Sequence, residues 1–474
     1  MLVAVQLVAI MFPAVAENQL TNKNRMHKEL SDFAARLCGI ILSEGRVPRG
    51  PDLKIENGCS CNSPLREFDT LALELFALQF KSNSAYRKIC EARGSTPEAV
   101  EHWTQIPTVP TAAFKELELT CLPPGECTAV FHSSGTTGQK PSRHFHSAES
   151  LAVYEASLWS WFAQNVLRSA DGSSAWSENA IASASSRGQA VRAPFHAICL
   201  TPPPAQAPHS SLVHMFETVR RKLGTPDTAF VGRIAADGSW TLDFEVALSA
   251  LNSSLVTRHS SLLLGTAFSF VHLLDYLDEK NLRFDLPPGT RVMETGGYKN
   301  RSRTMPKTEL HALIAERLGI PPENIVSEYG MSELSSQAYD RTADNTLLPH
   351  PGPLPEEREN DRQSAGVMAV TEDFQERPLL FPLPGGEGQG EGKCAVKPHC
   401  FHFPPWTRAQ IMSPETGREV VDGETGLICV FDLANVFSVM AIQTEDVGVR
   451  HGEGFALIGR ARLAEPRGCS LMMA

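Results

Sequence analysis

At 474 residues, with 42% hydrophobic and 20% charged residues, the chain is long enough for a main globular domain and at least one smaller one. A net charge of −11 and an isoelectric point near 5.8, with no basic run, argue against a nucleic-acid binder and leave small molecules or proteins as partners. Eleven cysteines, an odd number without a repeating frame, fit a reducing, cytoplasmic setting rather than a disulfide scaffold.

Residues 1–25 open with an almost wholly apolar run, Met1 to Ala16, that no Lys or Arg precedes. We read it as a wrongly set start or a disordered leader rather than a secretion signal, and it is too short to span a membrane. Residues 26–125 form a helical arm, in which Leu71, Leu75 and Leu78 recur at helical spacing and Trp103 to Pro110 is a connection. Cys59 and Cys61, and the later group Cys394, His399, Cys400 and His402, match no zinc spacing.

Residues 126–342 follow another grammar, an α/β core with an insertion at 169–193. The short β-type runs Thr128–Phe131, Ala197–Leu200, Ser261–Leu264, Arg291–Glu294 and Ile325–Val326 lead into polar loops and then into helices. This alternation predicts a mainly parallel sheet covered on both faces, with ligands held where the strand C-termini release their loops. One helix is bounded by Pro306 and by Gly319 with Pro321, and Leu310, Leu313 and Ile314 line one face of it. Residues 343–400 are a low-complexity insertion rich in Pro and Gly. The alternating runs Leu427–Leu433, Phe437–Gln443 and Phe455–Ile458 place a small β subdomain at 401–460, and 461–474 form a mobile tail.

The loops carry the chemistry. Ser133-Ser134-Gly135-Thr136-Thr137-Gly138-Gln139-Lys140 sets bare backbone N–H groups and hydroxyls beside a cation, a composition suited to polyphosphate. It lacks the Gly-x-x-x-x-Gly-Lys-Ser/Thr spacing of a kinase-type loop. Gly296-Gly297-Tyr298 offers close backbone approach and a ring for a purine. Tyr329-Gly330-Met331-Ser332-Glu333 offers a second ring, a hydroxyl, and a Glu333 carboxylate suited to Mg2+. Asp446, read as a residue of a strand-end turn, can accept both ribose hydroxyls, and Arg460 can reach the nucleotide or act at a hinge. His209 and His214 flank Ser210 and Ser211 without a Gly-x-Ser-x-Gly elbow, so they are site-lining or structural rather than hydrolytic. Trp159, Trp161 and Phe162 are open to two readings, an acyl channel or plain helix core.

In this order the motifs resemble the adenylate-forming (AMP-binding) superfamily. More closely, they resemble the acyl-protein synthetases, the long-chain-fatty-acid luciferin-component ligases that supply bacterial luciferase chemistry. The matching text includes Phe131 to Gly138, Ser142-Arg143-His144, Thr201 to Pro204, His209 to Met215 and Glu328 to Leu334. The resemblance implies an ATP-dependent enzyme that turns a fatty acid into an acyl-adenylate and passes the acyl group to a cysteine near its own C-terminus, for a partner reductase. Cys469 is the matching candidate, and Arg467 beside it favours the attacking thiolate. Only fourteen residues follow Arg460, so we expect no C-terminal lid domain and no lid lysine. Lys140, Arg143 or His144 is expected to steady the phosphates instead. Nine residues at about 3.3 Å each let the tail reach roughly 30 Å. Two alternatives stay open at this stage: a ligase with a soluble acceptor such as CoA, and a non-catalytic nucleotide-binding scaffold.

Overall fold

The computed structural model describes residues 25–44, 68–133, 140–167, 195–224, 228–236, 238–296, 305–340 and 400–461. Contacts divide the chain into one unit of residues 1–345 with 399–474 and another of 346–398, and every described residue belongs to the first.

The strands in chain order are β1 (Val109–Pro110), β2 (Ala129–His132), β3 (Arg143–His146), β4 (His196–Cys199), β5 (Ala229–Phe230), β6 (Gly232–Ile234), β7 (Trp240–Leu242) and β8 (Ser261–Thr266). They continue as β9 (Arg291–Thr295), β10 (Ile325–Tyr329), β11 (Ala338–Tyr339), β12 (Thr407–Met412), β13 (Thr425–Asp432), β14 (Ala441–His451) and β15 (Gly454–Arg460). A six-stranded sheet runs β11-β10-β9-β8-β4-β5, and all its pairings are parallel except β10 with β11. Its central strands β8, β9 and β10 are buried on both sides because both sides are covered. Ile198, Leu263, Val292 and Ile325 face helices Phe244–Thr257, Ala267–Glu279 and Lys307–Leu318. Cys199, Leu262, Leu264, Met293 and Val326 face helices Ala148–Val166 and Ser211–Leu223.

Local signals set the helix ends. Ser210 accepts a hydrogen bond from Val213 N at the start of Ser211–Leu223, and Gly224 closes that helix at φ 64°. Lys307–Leu318 begins just after Pro306 and stops at Gly319, φ 66°, as the Pro and Gly positions predict; Leu310 and Ile314 are buried.

The second sheet runs β1-β14-β13-β12, with β15 paired to the other part of β14. β1, from the N-terminal part of the chain, adds parallel to β14 through Val109 and Ile442. Leu30, Phe33, Leu75, Phe76 and Tyr86 share one core with Val430, Phe431 and Ile442. Each such side chain contributes about 1.5–3 kcal/mol on burial.

Three expectations change. The run Thr128–Phe131 does not start a strand–loop–helix unit of the parallel sheet: Ala129 to Phe131 lie in β2, which pairs antiparallel with β3, His132 opposite Arg143. The strand expected from Phe437 starts only at Ala441. Hydrogen bonds from Asn435 N to Asp432 O, 3.1 Å, and Ser438 N to Asn435 O, 3.2 Å, turn the chain there first. Asp446, expected in a strand-end turn, sits inside the eleven-residue strand β14, opposite Arg460.

Candidate active site

A cavity of about 890 Å³ opens where the loops after β9 and β10 meet the 206–212 segment and the end of β15. Ligands of open α/β sheets bind beyond strand C-termini, and β9 and β10 deliver Thr295, Gly296 and residues 329–333 to that edge.

Two sheets meet at Tyr329. Its hydroxyl donates to Asp446 Oδ2 at 3.0 Å, while Arg460 Nε donates to Asp446 Oδ1 at 3.2 Å. Arg460 also pairs with Glu445 at 3.3 Å. The Tyr329 ring packs against Phe401, Phe403 and Phe455, which fixes its direction. Burial, and then the Asp446 charge, hold its phenol well above the usual range, so it stays a donor. Ser133, Gly296, Tyr329, Gly330, Ser332, Glu333, Asp446 and Arg460 all line this one cavity. Ser134, Gly135, Thr136, Thr137, Gly138, Gly297, Tyr298 and Cys469 lie outside the described residues.

The 330–337 segment is held rigidly. Ser332 Oγ donates to Glu333 Oε2 at 2.9 Å, and His144 Nδ1 meets Ser332 O at 2.8 Å. Burial keeps the His144 imidazole below its usual pKa, so it stays neutral, with one ring N–H for that carbonyl. Sequence reasoning missed the anchor beneath, Asp432. This wholly buried carboxylate accepts from Ser335 N at 2.9 Å, Ser336 N at 2.8 Å, Ser336 Oγ at 2.8 Å, Ala434 N at 3.0 Å and Thr407 Oγ1 at 3.2 Å. Its signal was an acid inside the apolar run Leu427–Leu433.

Lys140 does not share the cavity that Ser133 lines. It pairs with Glu116 at 3.2 Å, both side chains are exposed, and it is not among the residues lining the cavity. Arg143 pairs with Glu118 at 3.3 Å. The cavity's described Lys and Arg side chains are Lys307 and Arg460, and Lys307 is bound to buried Asp340 at 2.7 Å. An exposed pair contributes little, so Lys140→Ala is expected to shift unfolding free energy by less than about 0.5 kcal/mol in a denaturant titration. Any loss of pyrophosphate release in that variant then reports on chemistry rather than folding.

His132 and His209 stack with centroids 4.6 Å apart at the cavity wall, and His209 Nδ1 meets Val130 O at 3.0 Å. His214 pairs with Glu155 at 3.0 Å. Trp159 and Phe162 belong to packed core and Trp161 donates to His402 O at 3.2 Å; none of the three lines the cavity.

Sequence comparison extends this picture. A family model described as acyl-protein synthetase, LuxE, matches residues 177–345. The long-chain-fatty-acid luciferin-component ligase of Vibrio harveyi is 21% identical over 409 residues, covering 84% of this chain and 85% of the relative. The enzyme of the same name from Aliivibrio fischeri is 21% identical over 245 residues, 49% of this chain and half of the relative. Among solved structures, 2-hydroxyisobutyryl-CoA ligase with 2-HIB-AMP and CoA has a TM-score of 0.51 at 12% identity, over 87% of this chain and 73% of that one. The same ligase with 2-HIB-AMP alone has a TM-score of 0.51 at 12% identity, over 88% and 74%. The α/β fold with a parallel sheet is thus similar to that ligase, and the motif resemblance is matched by a family model and two relatives.

Proposed function

We propose that this chain, which carries the acyl-protein synthetase match at residues 177–345, is an ATP-dependent acyl ligase that activates a long-chain fatty acid and captures it on Cys469. The observation that carries the reading is the convergence of Tyr329, Glu333, Asp446 and Arg460 on one cavity at the edge of a parallel sheet.

In the first step a carboxylate oxygen of the acid attacks the α-phosphorus of ATP, the bond to the leaving pyrophosphate breaks, and an acyl-adenylate forms. Asp446 accepts the ribose hydroxyls, Tyr329 orders Asp446, and Arg460 follows the nucleotide when it leaves its carboxylate partner. Gly296, Gly297 and Tyr298 flank the base. Ser133, Ser134, Gly135, Thr136, Thr137 and Gly138 donate to phosphate oxygens, with Lys140 beside them. Glu333, a buried carboxylate next to a hydroxyl, is an oxygen donor set that fits Mg2+, which when bound offsets phosphate charge. In the second step the Cys469 thiolate attacks the acyl carbon and the C–O bond to AMP breaks, which releases AMP. The resulting thioester suits uptake by a partner reductase. A cytoplasmic site of action agrees with the free thiols of Cys38, Cys90, Cys121, Cys127, Cys199 and Cys429. No described helix is long and apolar enough to cross a membrane.

Incubation with ATP and labelled fatty acid tests this directly. Label is expected to remain on the denatured protein, to be released by hydroxylamine, and to fall more than tenfold in Cys469→Ser while pyrophosphate release persists. Product that appears only with CoA would replace the acceptor, and absence of pyrophosphate exchange with any acid would leave a scaffold.

A further inference from the structure

Helix Lys307–Leu318 turns two side chains of one face, four residues apart, toward the ends of β9 and β10. His311 Nε2 meets Glu294 Oε1 at 3.3 Å, and Lys307 Nζ donates to Asp340 Oδ2 at 2.7 Å. Asp340 belongs to that sheet edge, since its Oδ1 accepts from Ser327 N at 2.8 Å. The Lys307 ammonium also lies 4.9 Å from the centre of the Phe401 ring, and Phe401 packs in turn on Tyr329 at 5.9 Å. An acid on one side and a ring face on the other thus aim a side chain that is flexible by itself.

Lys307 stands against the local electrostatics. In the first turn of a helix a cation opposes the dipole, and Asp340, whose side chain is wholly buried, is desolvated to hold it. Yet 33% of the Lys307 side chain remains open, and Lys307 lines the cavity. An ammonium has three donors, and among the described residues Asp340 takes the one hydrogen bond that Lys307 gives. Because Asp340 cancels the charge, the pair offers a ligand N–H donors with little net field. That suits a neutral acceptor better than a phosphate.

We propose that Lys307, aimed by Asp340 and Phe401, binds the nucleobase and donates to a ring nitrogen of adenine. The proposal rests on the adenylation reading for the nucleotide and on the Lys307 geometry for the contact. In that reading Gly296 flanks the base, and Tyr329 orders the Asp446 that takes the ribose. Ser327, which carries the Asp340–Lys307 anchor, pairs with Glu294 two residues before both Tyr329 and Gly296, so Lys307 belongs to the base end of the cavity. The groups that serve phosphate and metal in that reading have other supports. Ser133 Oγ accepts from Ser142 N at 2.9 Å, and Glu333 O accepts from Asn435 at 2.9 Å.

The test measures calorimetric binding of ATP, 1-deaza-ATP, 3-deaza-ATP and 7-deaza-ATP to the full chain with Mg2+ and no acid. Each analogue replaces one ring nitrogen by C–H, which removes an acceptor and leaves the triphosphate unchanged. The wild type is expected to bind one of the three at least about tenfold more weakly than ATP, the loss of a hydrogen bond from a charged donor. Lys307→Met is expected to weaken ATP by a similar factor and to bind ATP and that analogue within about twofold of each other. The double variant Lys307→Met with Asp340→Asn removes both charges and keeps an acceptor for Ser327 N. It is expected to give the same ratio, and it serves if an unpaired Asp340 unfolds the single variant. Equal wild-type affinities for all four nucleotides overturn the subsite, as does a preference that survives unchanged in the variants and so belongs to another group. A wild type that binds no ATP fails the adenylation reading, and the subsite with it.

Discussion

Asp432→Ala is expected to lower the unfolding free energy by about 3–5 kcal/mol, read from the denaturation midpoint at constant slope. Five donors converge on this carboxylate, from Ser335, Ser336, Thr407 and Ala434, and all of these residues are buried. Truncation leaves two or more of those donors facing a cavity too small to restore their hydration, at about 1–3 kcal/mol each. Asp432→Asn keeps the volume but turns one oxygen into an NH2 group against N–H donors. It is therefore expected to lose at least half as much.

The consequence reaches the site, because Asp432 ties β13 to the segment that follows Tyr329-Gly330-Met331-Ser332-Glu333. Asn435 strengthens the tie by donating to Glu333 O at 2.9 Å. A stability change under about 1 kcal/mol would show that the segment is held by packing alone.

That anchor also shows where sequence reading stops. The parallel sheet was legible because β8, β9 and β10 are buried on both faces, and each carries two or three consecutive apolar residues before a polar loop, as β4 does. The site loops were legible because each breaks such a run with glycine, hydroxyl or charge. β2 was misplaced because a four-residue apolar run has the same pattern in a hairpin as in a parallel strand, and its partner, Arg143-His144-Phe145-His146, does not look like one. Asp446 was identified as a residue but not as part of a network, since its partners Tyr329 and Arg460 arrive from a different sheet and a later strand. Glu328 was read only as the first residue of the matching text Glu328 to Leu334, without a setting of its own. That setting, a hydrogen bond from Thr295 on a neighbouring strand and close approach to the bare Cα of Gly330, exists only in the fold.

Asp446→Ala is expected to reduce kcat/KM for ATP in pyrophosphate release by roughly a hundredfold, about 2.7 kcal/mol of transition-state stabilisation. Two losses add under the proposed reading. The ribose loses a charged acceptor, and hydrogen bonds to charged groups are worth about 1.5–3 kcal/mol. The Tyr329 hydroxyl and the Arg460 guanidinium lose the carboxylate that aims them. Asp446→Asn, which keeps one acceptor for Tyr329, is expected to lose about tenfold. Arg460→Ala separates the two contributions: if Arg460 acts only through Asp446, the double variant is no worse than Asp446→Ala. If the losses multiply instead, Arg460 contacts the nucleotide on its own, using the guanidinium nitrogens not held by Asp446. A KM for ATP unchanged in Asp446→Ala would remove the ribose assignment and leave this residue a purely structural link between β14 and Tyr329.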